Sequence, residues 1–271
     1  MTDRYCVIGN PIAHSKSPRI HGQYAAELGE DIQYEQCLAP LDGFAATVAR
    51  LVSEGYKGAN VTVPFKLEAA RLATRLTARA QAAGAVNTLV FDGDGIVGDN
   101  TDGVGLVADI VRNAGVSLTD KRVLLLGAGG AARGALLPLL DAGPRQIVIA
   151  NRTLATAEAL VAEFADHAAR LAVSGFADVE GPFDVIINAT SASLDAAVPP
   201  VPASVFGPDT LALDMMYGNK PTVFMDFAAG HGAAVRDGLG MLVEQAAEAF
   251  ALWRGKRPGT AHVLASMRQS Q

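Results

Sequence analysis

The chain has 271 residues, enough for one large domain or two of roughly 130, because single cores rarely grow far beyond about 250 residues. Half of it is hydrophobic and only 18% is charged, which excludes wholesale disorder. The 22 Lys+Arg against 28 Asp+Glu leave a net charge of −6, with no basic run that carries interleaved aromatics, so nucleic acid is not an expected partner.

The first predicted strand covers residues 5–8, entered without the cationic start, apolar stretch and cleavage site of a signal peptide. No apolar segment reaches the roughly 20 residues that span a bilayer, so no membrane is expected. Cys6 and Cys37 lie far apart and no Cys/His cluster has zinc spacing; they read as reduced thiols without a functional role in a cytosolic protein, and no metal is expected. A helix follows Ser17, opening on Pro18, whose missing N–H costs nothing there, and stopping at Gly29. Further strands are predicted at 33–38, 59–63 and 86–91. The tight turn Asp92-Gly93-Asp94-Gly95 then leads into a short return strand at 96–97.

A second unit opens with a strand at 122–126, the loop Gly127-Ala128-Gly129-Gly130-Ala131-Ala132 and a helix to about residue 140. Strands at 146–150, 185–188 and 211–214 follow, with proline-rich connectors over 198–208 and helices at 239–254 and from about 260 onward. Short β-rich runs that alternate with longer helical ones indicate an α/β fold, a parallel sheet covered by helices. No flexible linker separates the two units, and a cleft between them is the expected active-site location.

Strand, then Gly127-x-Gly129-x-x-Ala132, then helix is the context of a dinucleotide site: Gly127 for the sharp turn, Gly129 for close approach to a pyrophosphate, Ala132 for helix packing. At the end of the next strand an NAD-selective site places an acidic residue, whereas this chain has Asn151-Arg152-Thr153. Arg152 suits a 2′-phosphate and its neighbours can hydrogen-bond to it, so NADP is the expected cofactor.

The densest polar text lies in the other unit: Gly9-Asn10-Pro11-Ile12-Ala13-His14-Ser15-Lys16-Ser17-Pro18, Gly58-Ala59-Asn60-Val61-Thr62-Val63-Pro64-Phe65-Lys66, Gly84-Ala85-Val86-Asn87-Thr88 and Gly98-Asp99-Asn100-Thr101-Asp102-Gly103. Each falls at or just after a predicted strand, where open α/β sheets place their binding residues. Together with the glycine loop, Asn151-Arg152-Thr153, Asn188-Ala189-Thr190-Ser191 and Asp237-Gly238-Leu239-Gly240-Met241-Leu242-Val243 followed by Gln245, this text resembles the shikimate dehydrogenase family over nearly the whole chain.

The resemblance implies NADP-linked interconversion of shikimate and 3-dehydroshikimate, a step of aromatic amino-acid biosynthesis, in a cytoplasmic enzyme that is a monomer or homodimer. It implies two domains: an open α/β substrate domain of residues 1–102 plus 239–271, and a Rossmann-like NADP domain of residues 103–238. Lys66 and Asp102 match the family's catalytic pair. A lysine after Val63-Pro64-Phe65 would by itself read as a surface residue, and only the motif context reverses that. The ammonium can donate to a carbonyl oxygen, whereas acting as base calls for desolvation. Ser15 and Ser17 match the residues that hold the substrate carboxylate, and i, i+2 spacing in an extended segment would put both hydroxyls on one side; Ser17 is also a candidate helix N-cap. Thr62, Asn87, Tyr217 and Gln245 match further substrate contacts, and Asn60 reads as a loop organiser. On the cofactor side the resemblance implies Gly127, Ala128, Gly129, Gly130, Ala131, Asn151, Arg152, Thr153, Thr190, Ser191, Gly238 and Met241.

His14 and His21 occupy no proton-transfer position of the family, and Trp253 reads as core packing. Three places depart from the family pattern. Thr156 stands where a second arginine often is, Ala192-Ser193 where a glycine is common, and Lys220-Pro221-Thr222-Val223 replaces the usual Lys-x-Thr-Pro order. The alternatives are a quinate/shikimate dehydrogenase that uses NAD or both cofactors, and a non-catalytic ligand-binding homologue. Serine at both 15 and 17 resembles the shikimate-specific form, and retention of both Lys66 and Asp102 speaks against the silent one.

Overall fold

The computed structural model describes residues 2–269. The elements, in chain order, are β1 (Asp3–Gly9), α1 (Ser17–Leu28), β2 (Ile32–Leu38), α2 (Phe44–Ser53), β3 (Gly58–Val61), α3 (Lys66–Leu72), β4 (Arg75–Leu76), α4 (Ala78–Ala83), β5 (Thr88–Phe91), β6 (Ile96–Asp99) and α5 (Asp102–Ala108). Then come β7 (Arg122–Leu126), α6 (Gly130–Asp141), β8 (Gln146–Ala150), α7 (Leu154–Ala162), β9 (Leu171–Ser174), β10 (Val185–Asn188), β11 (Leu211–Asp214), α8 (Val223–Gly230), β12 (Ala234–Arg236), α9 (Leu239–Arg254) and α10 (Ala261–Gln269). The chain divides into two compact units, one running to Gly105 and resuming at Val243, the other Leu106–Leu242. The divisions fall inside α5 and α9.

The first unit holds a six-stranded sheet of order β2-β1-β3-β5-β6-β4. It is mixed, not wholly parallel as the alternating pattern suggests, because β5 runs antiparallel to both β3 and β6. For the β5–β6 pair the physical cause is the turn between them, too short for a crossover helix and built on Gly93 and Gly95 at positive φ. One apolar cluster gathers Ile8, Phe44, Leu51, Phe65 and Leu89. Elsewhere in the unit Trp253 stacks on Tyr5 at 4.6 Å and donates its indole N–H to the Leu89 carbonyl at 3.0 Å. His21 is fully buried, stacked on Tyr34 at 4.2 Å, with neither ring nitrogen hydrogen-bonded. Desolvation lowers its pKa to about 3, so the ring is neutral.

Cys6 and Cys37, distant in sequence, sit on the adjacent strands β1 and β2 as free thiols. The Cys6 hydrogen bond and the Arg50 guanidinium, 3.7 Å from Cys37 Sγ, bring the Cys37 thiol down to about 7.

The second unit holds a fully parallel sheet of order β12-β11-β10-β7-β8-β9. Its central strands β7, β8, β10 and β11 match the predicted spans; all are apolar on both faces, as parallel strands under helices must be. The strands that the sequence pattern does not reveal, β4, β9 and β12, are short edge strands that are nowhere fully buried. Among the described residues no helix is long and apolar enough to cross a membrane.

Candidate functional site

The predicted site residues fall into two groups, one in each unit. In the first, strand ends deliver the chemistry. Lys66 opens α3 directly after the turn that follows β3, and its carbonyl accepts the Val86 N–H at 2.9 Å, which ties it to the approach to β5. Asp102 opens α5 just beyond β6, where the Asn100 side chain accepts its N–H at 3.1 Å. Two helix starts, just beyond the ends of the strands that flank β5 on either side, thus bring Lys66 Nζ to 2.6 Å from Asp102 Oδ2. The pair is partly open, with side-chain exposures of 32% and 24%, so each partner keeps a route to a ligand.

Asn87 reaches the other carboxylate oxygen, donating from Nδ2 to Asp102 Oδ1 at 2.8 Å. The same amide touches Gln245 Oε1 at 3.3 Å and Thr101 Oγ1 at 2.9 Å. Gln245 comes from α9, and that approach depends on Gly105, where a Cβ would stand 2.7 Å from the Gln245 backbone nitrogen. Lys66, Asn87, Asp102 and Gln245 are therefore joined in one cluster. Thr62 closes the turn that carries Lys66: its N–H bonds to the Ile8 carbonyl at 2.9 Å and its carbonyl takes the Phe65 N–H at 3.0 Å. This turn also ends β3 at Val61, two residues before the predicted limit.

Ser15 and Ser17 do not lie in an extended segment. Lys16 between them is helical, φ −84°, ψ −8°, and is itself the N-cap of α1 without a side-chain cap bond, so Ser17 is the first helical residue and not the cap. The two serines still meet, through the Ser17 N–H donated to Ser15 Oγ at 3.3 Å. That contact uses an oxygen lone pair of Ser15, and its hydroxyl proton is the atom it can donate. Asn60 is not a loop residue either. It sits buried in β3, donating to the Asn87 carbonyl at 3.2 Å and Thr88 Oγ1 at 3.0 Å and accepting from the Tyr34 hydroxyl at 2.7 Å. Thr101, Thr88 and Tyr34 escaped the sequence reading as site residues. For Thr101 and Thr88 a signal existed, since both stand inside the polar motifs beside Asp102 and Asn87, whereas an isolated tyrosine in β2 carries none.

In the second unit, Gly127 takes φ +99°, a left-handed conformation that a side chain resists, and donates its N–H to the Ala150 carbonyl at 2.7 Å. The chain then turns into α6 through Ala128 and Gly129, its N-cap. Gly129, Gly130 and Ala131 are exposed there while Ala132 is fully buried against the sheet. A Cβ on Gly129 or Gly130 would meet nothing within 4 Å, so open space stands over the first turn of α6, where helix N–H groups lack intrahelical partners and can accommodate a phosphate. Asn151 follows β8, its side chain donating to the Thr153 carbonyl at 2.8 Å, and Arg152 and Thr153 are exposed. This donor set, a guanidinium without a carboxylate at the strand end, fits a phosphorylated ribose. Thr156 is exposed in the first turn of α7.

The two departing loops converge on one carboxylate. Asp214, fully buried at the end of β11, accepts from Ser193 Oγ at 2.6 Å, Thr222 Oγ1 at 2.7 Å and the Met216 N–H at 3.0 Å. Thr222 also caps α8 by accepting the Met225 N–H at 3.3 Å. Thr190 is folded back onto Asn188 Oδ1 at 2.7 Å, and the neighbouring Ser191 is exposed. Tyr217 belongs to this unit and is 37% exposed; desolvation, then the Asp237 carboxylate, raise its phenol pKa. Gly238 donates its N–H to the Met216 carbonyl at 2.9 Å just ahead of α9, whose first turn carries Met241.

Family models agree along the chain. The model of the shikimate dehydrogenase substrate binding domain matches residues 7–89, that of shikimate / quinate 5-dehydrogenase residues 109–197, and that of the shikimate 5'-dehydrogenase C-terminal domain residues 238–268. A shikimate dehydrogenase (NADP(+)) of Herminiimonas arsenicoxydans is 65% identical over 268 residues, 99% of this chain and 98% of the relative. Among solved structures, an Ael1 enzyme from Pseudomonas putida is 52% identical with a TM-score of 0.94 over 98% of both chains. Shikimate 5-dehydrogenase from Thermus thermophilus, in complex with NADP(H) and shikimate, is 31% identical with a TM-score of 0.87 over the full length of both. The joined Lys66–Asp102 cluster, the glycine turn before α6 and these likenesses over the whole length lead to one conclusion: the chain belongs to the shikimate dehydrogenase family.

Proposed function

We propose that this protein catalyses the reversible NADP-linked interconversion of shikimate and 3-dehydroshikimate, with Lys66 and Asp102 as the proton-transfer pair. The carrying observation is the bond of Lys66 Nζ to Asp102 Oδ2 at 2.6 Å in a partly open setting, with Asn87 and Gln245 on the same cluster. NADP, when bound, supplies the hydride chemistry at its nicotinamide. Gly127 to Ala131 and the N-terminus of α6 would hold its pyrophosphate; Arg152, Asn151 and Thr153 its 2′-phosphate; Thr190, Ser191, Gly238 and Met241 its remaining parts.

The chain's own work is to orient the ring and manage one proton. Lys66 Nζ, steered by Asp102 Oδ2, donates the proton that the carbonyl oxygen gains in reduction and receives it back in oxidation. Ser15 and Ser17 hold the substrate carboxylate, and Thr62, Asn87, Tyr217 and Gln245 pair with the ring hydroxyls, for which neutral hydrogen-bonding groups are suited. The reaction serves aromatic amino-acid biosynthesis in the cytoplasm, carried out by a monomer or homodimer.

Initial rates with shikimate and quinate, each paired with NADP and NAD, test this. Shikimate with NADP should be the fastest pair. Preferred turnover of quinate with NAD would reassign the substrate and void the role given to Arg152, and silence in all four pairings would leave a binding protein without catalysis.

A further inference from the structure

Behind the Lys66–Asp102 pair lies a line of hydrogen bonds that all run in one direction. The Tyr34 hydroxyl donates to Asn60 Oδ1 at 2.7 Å, and Asn60 Nδ2 donates to Thr88 Oγ1 at 3.0 Å. Thr88 Oγ1 donates to Asn87 Oδ1 at 2.9 Å, and Asn87 Nδ2 donates to Asp102 Oδ1 at 2.8 Å. The direction is over-determined. The Thr101 backbone N–H, which can only donate, lies 2.8 Å from Asn87 Oδ1, so this end of the amide is the oxygen and the NH₂ must face the carboxylate. A threonine hydroxyl has one proton; having accepted from Asn60, Thr88 places it on Asn87. Asn60, Asn87 and Thr88 are 6%, 3% and 0% exposed, so water does not compete for these groups. Bonds arranged head to tail in a buried setting polarise one another, and here every donor points toward Asp102.

We propose that Thr88 and Asn60 are positioning residues for the reaction: they hold Asn87 Nδ2 on Asp102 Oδ1, which keeps Oδ2 aimed at Lys66 Nζ. The inference rests on reading Lys66 and Asp102 as the proton-transfer pair. Neither Thr88 nor Asn60 needs to touch substrate for this. Their effect passes through the orientation of a neighbouring amide, which without Thr88 loses one of the bonds that fix its rotation.

Thr88→Val keeps the branched shape and removes the hydroxyl. It should lower kcat for shikimate oxidation about tenfold, the usual scale for a lost hydrogen bond in a preorganised site, leave KM for NADP unchanged, and displace the pH profile of kcat. Thr88→Ser restores the hydroxyl and should restore both kcat and the profile. Tyr34→Phe, two hydrogen bonds further up the line, should give a loss of about two- to threefold in the same direction. A Thr88→Val enzyme with wild-type kcat and pH profile overturns the proposal, whatever happens to its Tm, because a packing role moves only Tm. If Thr88→Val does not fold, Tyr34→Phe decides by the same readouts, and unchanged values overturn it. Failure of the wild-type enzyme to turn over shikimate would instead strike the functional reading itself.

Discussion

The two units prepare their ligand sites by opposite means. Around Asp102 the preparation is done by buried side chains, each oriented by the next, and the backbone only delivers them to strand ends. At the start of α6 it is done by backbone, through one positive-φ glycine and a helix N-terminus, with Gly129, Gly130, Arg152 and Thr153 exposed. The two sites are vulnerable in different places. A side-chain network loses function when one polar atom is removed, whereas a backbone cradle tolerates side-chain change except where a Cβ or a charge is decisive.

The largest expected effect comes from the network. Lys66→Ala should lower kcat for shikimate about a thousandfold, within the usual range for a proton-transfer group, with no change in NADP binding followed by fluorescence. A loss of less than about tenfold would mean that the pair does not carry the proton.

Next is an ion pair in the same unit that has no place in the chemistry. Asp99, 1% exposed at its side chain, is bound by Arg79 through two bonds of 2.7 and 2.5 Å and by Thr77 at 2.5 Å. Burial would raise the Asp99 carboxyl, but these partners outweigh it and hold the pKa below its ordinary value. Arg79→Met strands the carboxylate and should cost about 3 kcal/mol in urea unfolding at pH 7. The stabilisation contributed by the pair is present above about pH 4 and lost as pH falls through the depressed value, so the difference between wild type and variant should shrink in acid.

The backbone-built site is tested by its one decisive charge. Arg152→Ala should raise KM for NADP about ten- to thirtyfold, the worth of a charge-assisted hydrogen bond to a phosphate, while leaving KM for NAD nearly unchanged. Equal losses for both cofactors would remove Arg152 from the 2′-phosphate.

The smallest effect concerns His21. Its folded pKa of about 3 lies below the unfolded value of about 6.5, so the unfolded chain binds the extra proton and stability falls as pH drops between those values. The slope is about 1.4 kcal/mol per pH unit, and His21→Phe should remove it from the unfolding free energy measured between pH 6 and 4.5. A slope that survives the substitution would assign it to carboxylates instead.

Much of this architecture is legible in the linear chain. The central strands of the second sheet read directly from their apolar runs, and the dinucleotide turn from Gly127, Gly129 and Ala132, because strand burial and turn sterics act within a few residues. The edge strands β4, β9 and β12 do not, since a strand paired on one side only needs no apolar run. Ser17 shows a local rule defeated by its neighbour: serine before Pro18 suits an N-cap, but Lys16 is already helical and takes that position.

Local residue patterns were enough for the α/β class, the glycine turn before α6, the cofactor suggested by Arg152 and, through motif resemblance, the candidate pair Lys66 and Asp102. How that pair is held follows from the packing of distant segments. Tyr34 and Asn60 are separated by 26 positions, and Asn87 and Gln245 by 158. Likewise Ser193 and Thr222, both in departing loops, find a common acceptor in Asp214. Hydrogen-bond direction is set by which donors and acceptors stand within about 3 Å, and no periodicity or propensity encodes that distance between residues so far apart along the chain.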